Sequence, residues 1–114
     1  MIMLVAFSVA PSGGDPSVGD AVAAAVRIVR ESGLPNETTA MFTTIEGEWD
    51  EVMEVVKRAT EAVSAVAPRT SLVLKADIRP GYADMLHSKV RRVEDALAED
   101  APAESAPAEG GDDE

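Results

Sequence analysis

The residues best suited to chemistry gather in one short run, Met41-Phe42-Thr43-Thr44-Ile45-Glu46, and in a second run that holds Lys75 and Asp77. On an extended chain alternate side chains share a face, so Thr44 and Glu46 go one way when Ile45 goes into a core. Lys75 and Asp77 share a parity within their own run in the same manner. Ser8, at the end of an apolar N-terminal run, joins Thr43 and Thr44 in offering hydroxyls that both donate and accept. Such a set suits a heterocycle with alternating ring nitrogens and an exocyclic amine, its edge read by hydroxyls and a carboxylate. Phe42, at the corner with Met41, is placed to stack on a ring or to face a cationic one. Glu46 has two readings, because a carboxylate that becomes covered must meet a donor or a cation. Either it pairs with Lys75 and sets the register between the sheets of two copies, or it accepts from a polar ligand. Each threonine is also a good strand former and has a plain structural reading.

Other chemistries fall away. The chain has no cysteine, which excludes disulfides, thiolate nucleophiles and thiolate metal sites. His87 is the only histidine and has no second imidazole to share a metal with, so it is expected on the surface of the last helix. No Gly-x-Ser-x-Gly elbow, phosphate-binding glycine loop or His-Glu-x-x-His run is present. Ser12-Gly13-Gly14 reads as a flexible loop, and Asp15 and Asp20 beside it repel anions. Trp49, between Glu48 and Asp50, reads as a packing residue at a helix start, and Tyr82 is a further aromatic able to stack. No catalytic residue, metal or cofactor is expected. The function class is reversible binding, and the rival class is a structural or regulatory oligomer without a small ligand.

With 114 residues the chain holds one domain, expected over residues 1–98, followed by an acidic tail at 99–114. The formal net charge is −11, but seven acids lie in residues 99–114, which leaves about −4 on the rest. An acidic body with ten lysines and arginines and no basic stripe is a poor partner for nucleic acid. No apolar run approaches the roughly 20 residues of a membrane span, so no membrane is expected either. The apolar start, Met1 to Ala10, lacks a basic n-region and a clear small-residue cleavage signal and reads as a strand, and the cytoplasm is the expected compartment.

The elements that must position these residues follow from periodicity. Ile2 to Val9 is almost continuously apolar, a strand covered on both faces. After the loop Pro11 to Pro16, Ser17 and Asp20 make an imperfect capping box for a helix. Its stripe is Val18, Val22, Ala25, Val26 and Val29, and it stops at Ser32-Gly33. Residues 37–47 supply two short strands that turn near Met41-Phe42. Asp50 is the expected cap of a second helix with Val52, Val55, Val56, Ala59, Val63 and Val66 on one side. Thr70 to Ile78 alternates as a half-polar strand, and Leu86, Val90, Val93 and Leu97 mark a short third helix. The tail, with Ala-Pro-Ala-Glu and Gly-Gly-Asp-Asp-Glu, has too little apolar content to order itself.

The order β-α-β-β-α-β plus a helix is an α+β, ferredoxin-like sandwich: two helices cover one face of a four-stranded antiparallel sheet. The other face is then bare and calls for a second copy or a ligand. The segment Thr39 to Val52, the strand end Ser8 to Pro11, Glu31-Ser32-Gly33 and Leu74 to Arg79 together resemble the small thiamine-binding protein family over residues 2–98. That resemblance implies a ferredoxin-like fold, homodimers or homotetramers, and binding of thiamine or its hydroxymethylpyrimidine part. It puts weight on Met41 to Gly47 and Ser8, with Lys75 and Asp77 as the neighbouring edge. Many relatives carry glycine where this chain has Phe42.

Overall fold

The computed structural model describes residues 1–13 and 18–100. Seven elements follow in order: β1 (Ile2–Ser12), α1 (Val18–Glu31), β2 (Asn36–Thr38), β3 (Thr43–Glu48), α2 (Trp49–Ser64), β4 (Arg69–Ile78) and α3 (Met85–Asp100). The four strands form one antiparallel sheet in the order β2-β3-β1-β4. The fold is thus the expected α+β, ferredoxin-like one, with β1 and β3 central and β4 at an edge. The loop before α1, including Ser17 of the expected capping box, and the tail at 101–114 lie outside the described residues.

Register assigns every strand residue to a face. Val5 pairs with Ile45 and with Ala76, and Phe7 pairs with Thr43 and with Leu74, which puts these residues on the helix side. Leu4 pairs with Glu46 and Asp77, and Ala6 with Thr44 and Lys75, which puts those on the open side. The core lies between the sheet and the two helices: Met3, Val5, Phe7 and Ile45 meet Ala25 and Val29 of α1 and Val52, Val55, Val56, Ala59 and Val63 of α2. Full burial of each larger aliphatic contributes about 1.5–3 kcal/mol, so this layer is the main source of stability. It is built of small branched residues, and even a small added atom is felt.

Helix ends are closed by local chemistry. At the end of α1 the Ser32 hydroxyl donates to the Val29 carbonyl at 2.6 Å and accepts the Leu34 amide at 3.2 Å. Gly33 then takes the left-handed conformation, φ +83°, that reverses the chain. At α2 the expected cap, Asp50, already lies inside the helix. Glu48 occupies the cap position with extended backbone and makes no side-chain cap bond. Its carboxylate is instead 2.6 Å from the N-terminal ammonium of Met1. Trp49 opens α2 and is 46% exposed, so it is not the packing residue its neighbours implied.

The third helix departs most from expectation. It is 16 residues long, and only its first turn is buried, at Met85 and Leu86. That turn sits on the open side of the sheet over β3. Part of the face expected to be bare is therefore covered by the chain itself. Beyond the first turn Val90, Val93 and Leu97 are exposed.

Candidate functional site

At the end of the sheet where β1 meets β3, the chain between β2 and β3 makes a tight turn governed by Thr39. The Thr39 hydroxyl accepts the amides of Met41 at 3.4 Å and Phe42 at 3.3 Å. It also donates to the Phe42 carbonyl at 3.2 Å, and the Thr39 amide donates to that same carbonyl at 2.9 Å. One residue thus holds the corner and aims Met41 and Phe42. Met41 is 75% exposed and Phe42 37%, so both stand at a rim rather than in the core.

Beneath this turn lies a cavity of about 180 Å³. Its floor and walls are Phe7 and Val9 of β1, Val22, Ala25, Val26 and Val29 of α1, and Val63 of α2; its lip is Thr38 to Thr43. The arrangement joins an aliphatic lining to a lip of three threonines, backbone amides and one aromatic. Greasy walls with a few placed polar groups are what small-molecule sites consist of. The volume is below the roughly 300–1,000 Å³ of sites that enclose drug-sized ligands, so one ring with its substituents fits and anything longer must project through the mouth.

The residues singled out from the sequence divide between two places. Met41, Phe42 and Thr43 line the cavity, with Thr43 on the helix side opposite Phe7. Ser8 borders it between Phe7 and Val9, although alternation gives its side chain to the open face beside Val73. Thr44, Glu46, Lys75 and Asp77 stand on the open face, away from the cavity. Thr39 and the α1 wall were not among the expected residues. A hydroxyl that bonds amides two and three positions on is a recognisable turn signature, but a wall donated by a distant helix leaves no local mark in the sequence.

On the open face Glu46 does not pair with Lys75. It is 4% exposed, and its two oxygens accept the amides of Met85 at 2.8 Å and Leu86 at 3.0 Å, the first two residues of α3. The unpaired amides of a helix start are natural donors to a carboxylate, and the two groups satisfy one another out of water. Asp77 bonds Lys89 of α3, and Lys75 has no ion-pair partner among the described residues. The Lys89 hydrogen bond, reinforced by the charges of Lys89, Arg79 and Lys75, holds the Asp77 carboxyl below its ordinary value of 3.8. Asp84, just before α3 and at φ 56°, bonds His87 at 3.2 Å and Arg91 at 3.2 Å, and these bonds hold its carboxyl below the ordinary 3.8 as well. His87 is on the surface, as expected. Among the described residues no three metal-ligating side chains gather, and no helix is long and apolar enough to cross a membrane.

Comparison with known proteins agrees with this fold. The sequence profile of the family described as thiamine-binding protein matches residues 5–94. The UPF0045 protein Mb1933 of Mycobacterium bovis is 59% identical over 95 residues, 82% of this chain and 93% of that protein. Among solved structures, a Bacillus cereus domain of unknown function is 35% identical with a TM-score of 0.73, covering 84% of this chain and 93% of that one. A Thermotoga maritima protein solved as a candidate thiamine biosynthesis/salvage protein is 26% identical with a TM-score of 0.69, covering 82% of this chain and 99% of that one. With a profile match across most of its length and relatives of this identity, the chain belongs to the thiamine-binding protein family.

Proposed function

We propose that this protein binds thiamine or a related hydroxymethylpyrimidine reversibly, in the cytoplasm, without transforming it. The observation that carries the reading is the cavity under the Thr39–Phe42 turn, an aliphatic slot of about 180 Å³ with hydroxyls and an aromatic at its mouth. The pyrimidine enters the slot, its ring nitrogens and exocyclic amine meeting the Thr38 and Thr43 hydroxyls, while Thr39 holds the turn that forms the lip. The thiazolium stays at the mouth, where the face of Phe42 stabilises a cationic ring. Ser8 and Met41 border the same space. Glu46 and Asp77 anchor α3 rather than the ligand, and Thr44 and Lys75 belong to the open face. Neither a metal nor a cofactor enters this reading, and nucleic acid and membranes have no part in it. No residue in the slot is a nucleophile paired with a base, which is why turnover is not part of it.

The half-buried open face, with Leu4, Ala6 and Thr44 along the central strands and Val73 exposed on β4, supports assembly into homodimers or homotetramers. Calorimetric titration of the intact protein with thiamine and with hydroxymethylpyrimidine tests the binding reading. Saturable heat with one ligand per chain is expected for both, and silence from both contradicts it. Silence would leave the rival reading, an oligomer that recognises only its own kind.

A further inference from the structure

The slot itself is a poor place for negative charge. Among the described residues no lysine, arginine or histidine lines it, and residues 14–17 and 101–114 contain none. The amides of Met41 and Phe42 are given to the Thr39 hydroxyl and that of Thr39 to the Phe42 carbonyl, so these donors are spent within the turn rather than turned toward an anion. Val63, which forms part of the wall, belongs to the last turn of α2, and that turn has no base to offset the negative end of the helix. An anionic group drawn in here loses its water and gains no partner.

Immediately outside, across one side chain, the charge changes sign. Val26 lines the slot and also an open hollow on the outer side of α1, whose other residues are Ala23, Arg27 and Arg30. The slot takes Val22, Ala25, Val26 and Val29 from α1, and the hollow takes the same pattern displaced by one residue, about 100° around the helix. Arg27 and Arg30 are exposed, and they are the only bases of α1. Neither makes an ion pair with a described residue, Glu31 included. Arg30 has an ordinary use as a base near a helix end, but that accounts for one cation and not for two turned to one hollow. A planar guanidinium presents forked donors that match the oxygens of a phosphate.

We propose that Arg27 and Arg30 form an anion subsite continuous with the slot, and that the ligand it serves is a phosphate monoester: the pyrimidine in the slot, the phosphate on the far side of Val26. This rests on the pyrimidine reading of the slot and names the form of ligand the site prefers. The alcohol of thiamine hangs on the thiazolium, which stays at the mouth, so its ester carries the phosphate outward, away from the anion-averse interior and toward the two arginines.

Calorimetric titration of the full chain with thiamine, thiamine monophosphate and inorganic phosphate tests the subsite. The monophosphate is expected to bind about tenfold or more tighter than thiamine, through charge-assisted bonds to the arginines. In Arg27→Gln/Arg30→Gln the two ligands are expected to bind alike; both positions are exposed, and glutamine is a good helix former, so the fold is kept. Inorganic phosphate, lacking the ring that anchors the ester, is expected to bind about a hundredfold or more weaker than the ester. Equal affinities for thiamine and its ester in the unaltered protein overturn the subsite and leave the pyrimidine reading in place. A preference for the ester that survives the double substitution overturns it as well. Inorganic phosphate as tight as the ester makes the arginines an anion site unconnected with the slot, which also overturns the proposal. If neither thiamine nor its ester gives heat, the pyrimidine reading falls and the subsite falls with it.

Discussion

Glu46 is the single buried charged side chain among the described residues, and its occupation is complete: two oxygens, two backbone amides. Removing it strands two donors away from water, so Glu46→Ala should cost about 2 kcal/mol in urea unfolding and loosen α3. The same change should leave pyrimidine affinity alone, because the cavity is on the other side of the sheet. Next to it, a side chain at Gly47 would crowd its neighbours. A Cβ there would stand 3.2 Å from a methyl of Leu34 and 3.2 Å from a methyl of Val52. Gly47→Ala should therefore destabilise by roughly 1 kcal/mol through crowding of the β3–α2 corner, seen as a lower melting temperature. Asp77 and Asp84 give α3 a pH dependence. Their folded values lie below the ordinary 3.8, so their contribution is present above that value and is lost as pH falls through the folded values. Carbon chemical shifts of residues 87–92 should move toward coil in that acid window, ahead of those of the β1 core.

At the level of elements, the sequence spoke clearly wherever burial is periodic. β4 sorts onto two faces as its alternation predicts, β1 is the central strand its apolar run predicts, and the α2 stripe is buried from Val52 to Val63, because a single sheet face covers it. The start of α2 lies two residues earlier than Asp50 implies: Asp50 has the chemistry of a cap, but the backbone places Glu48 there and gives its carboxylate to the chain's own N-terminus. Glu46 was legible as a buried acid needing a donor. The donor was not, since it is the backbone of a helix 39 and 40 residues away, and amides carry no residue type. The cavity was half legible: its lip is one contiguous run, but its walls come from α1, β1 and α2. The Thr39 turn is the element to perturb. Thr39→Val keeps the volume and removes the hydroxyl's bonds to the turn, and it should weaken ligand binding several-fold while the denaturation midpoint changes little.

For the whole molecule, the sheet divides two tasks. Its helix side holds the core and, at one end, the slot proposed for the pyrimidine. Its open side anchors α3 through Glu46 and Asp77 and presents the surface proposed for other copies. On that proposal binding and assembly lie on opposite faces, so each can be altered alone. The most direct measurement of that division is a methyl chemical-shift map recorded as hydroxymethylpyrimidine is added. Methyls of Val22, Ala25, Val26, Val29 and Thr43 are expected to move with saturation, while those of Leu4, Ala6, Thr44 and Val73 stay in place. Shifts confined to the open-face group, or none in either group, would contradict the account.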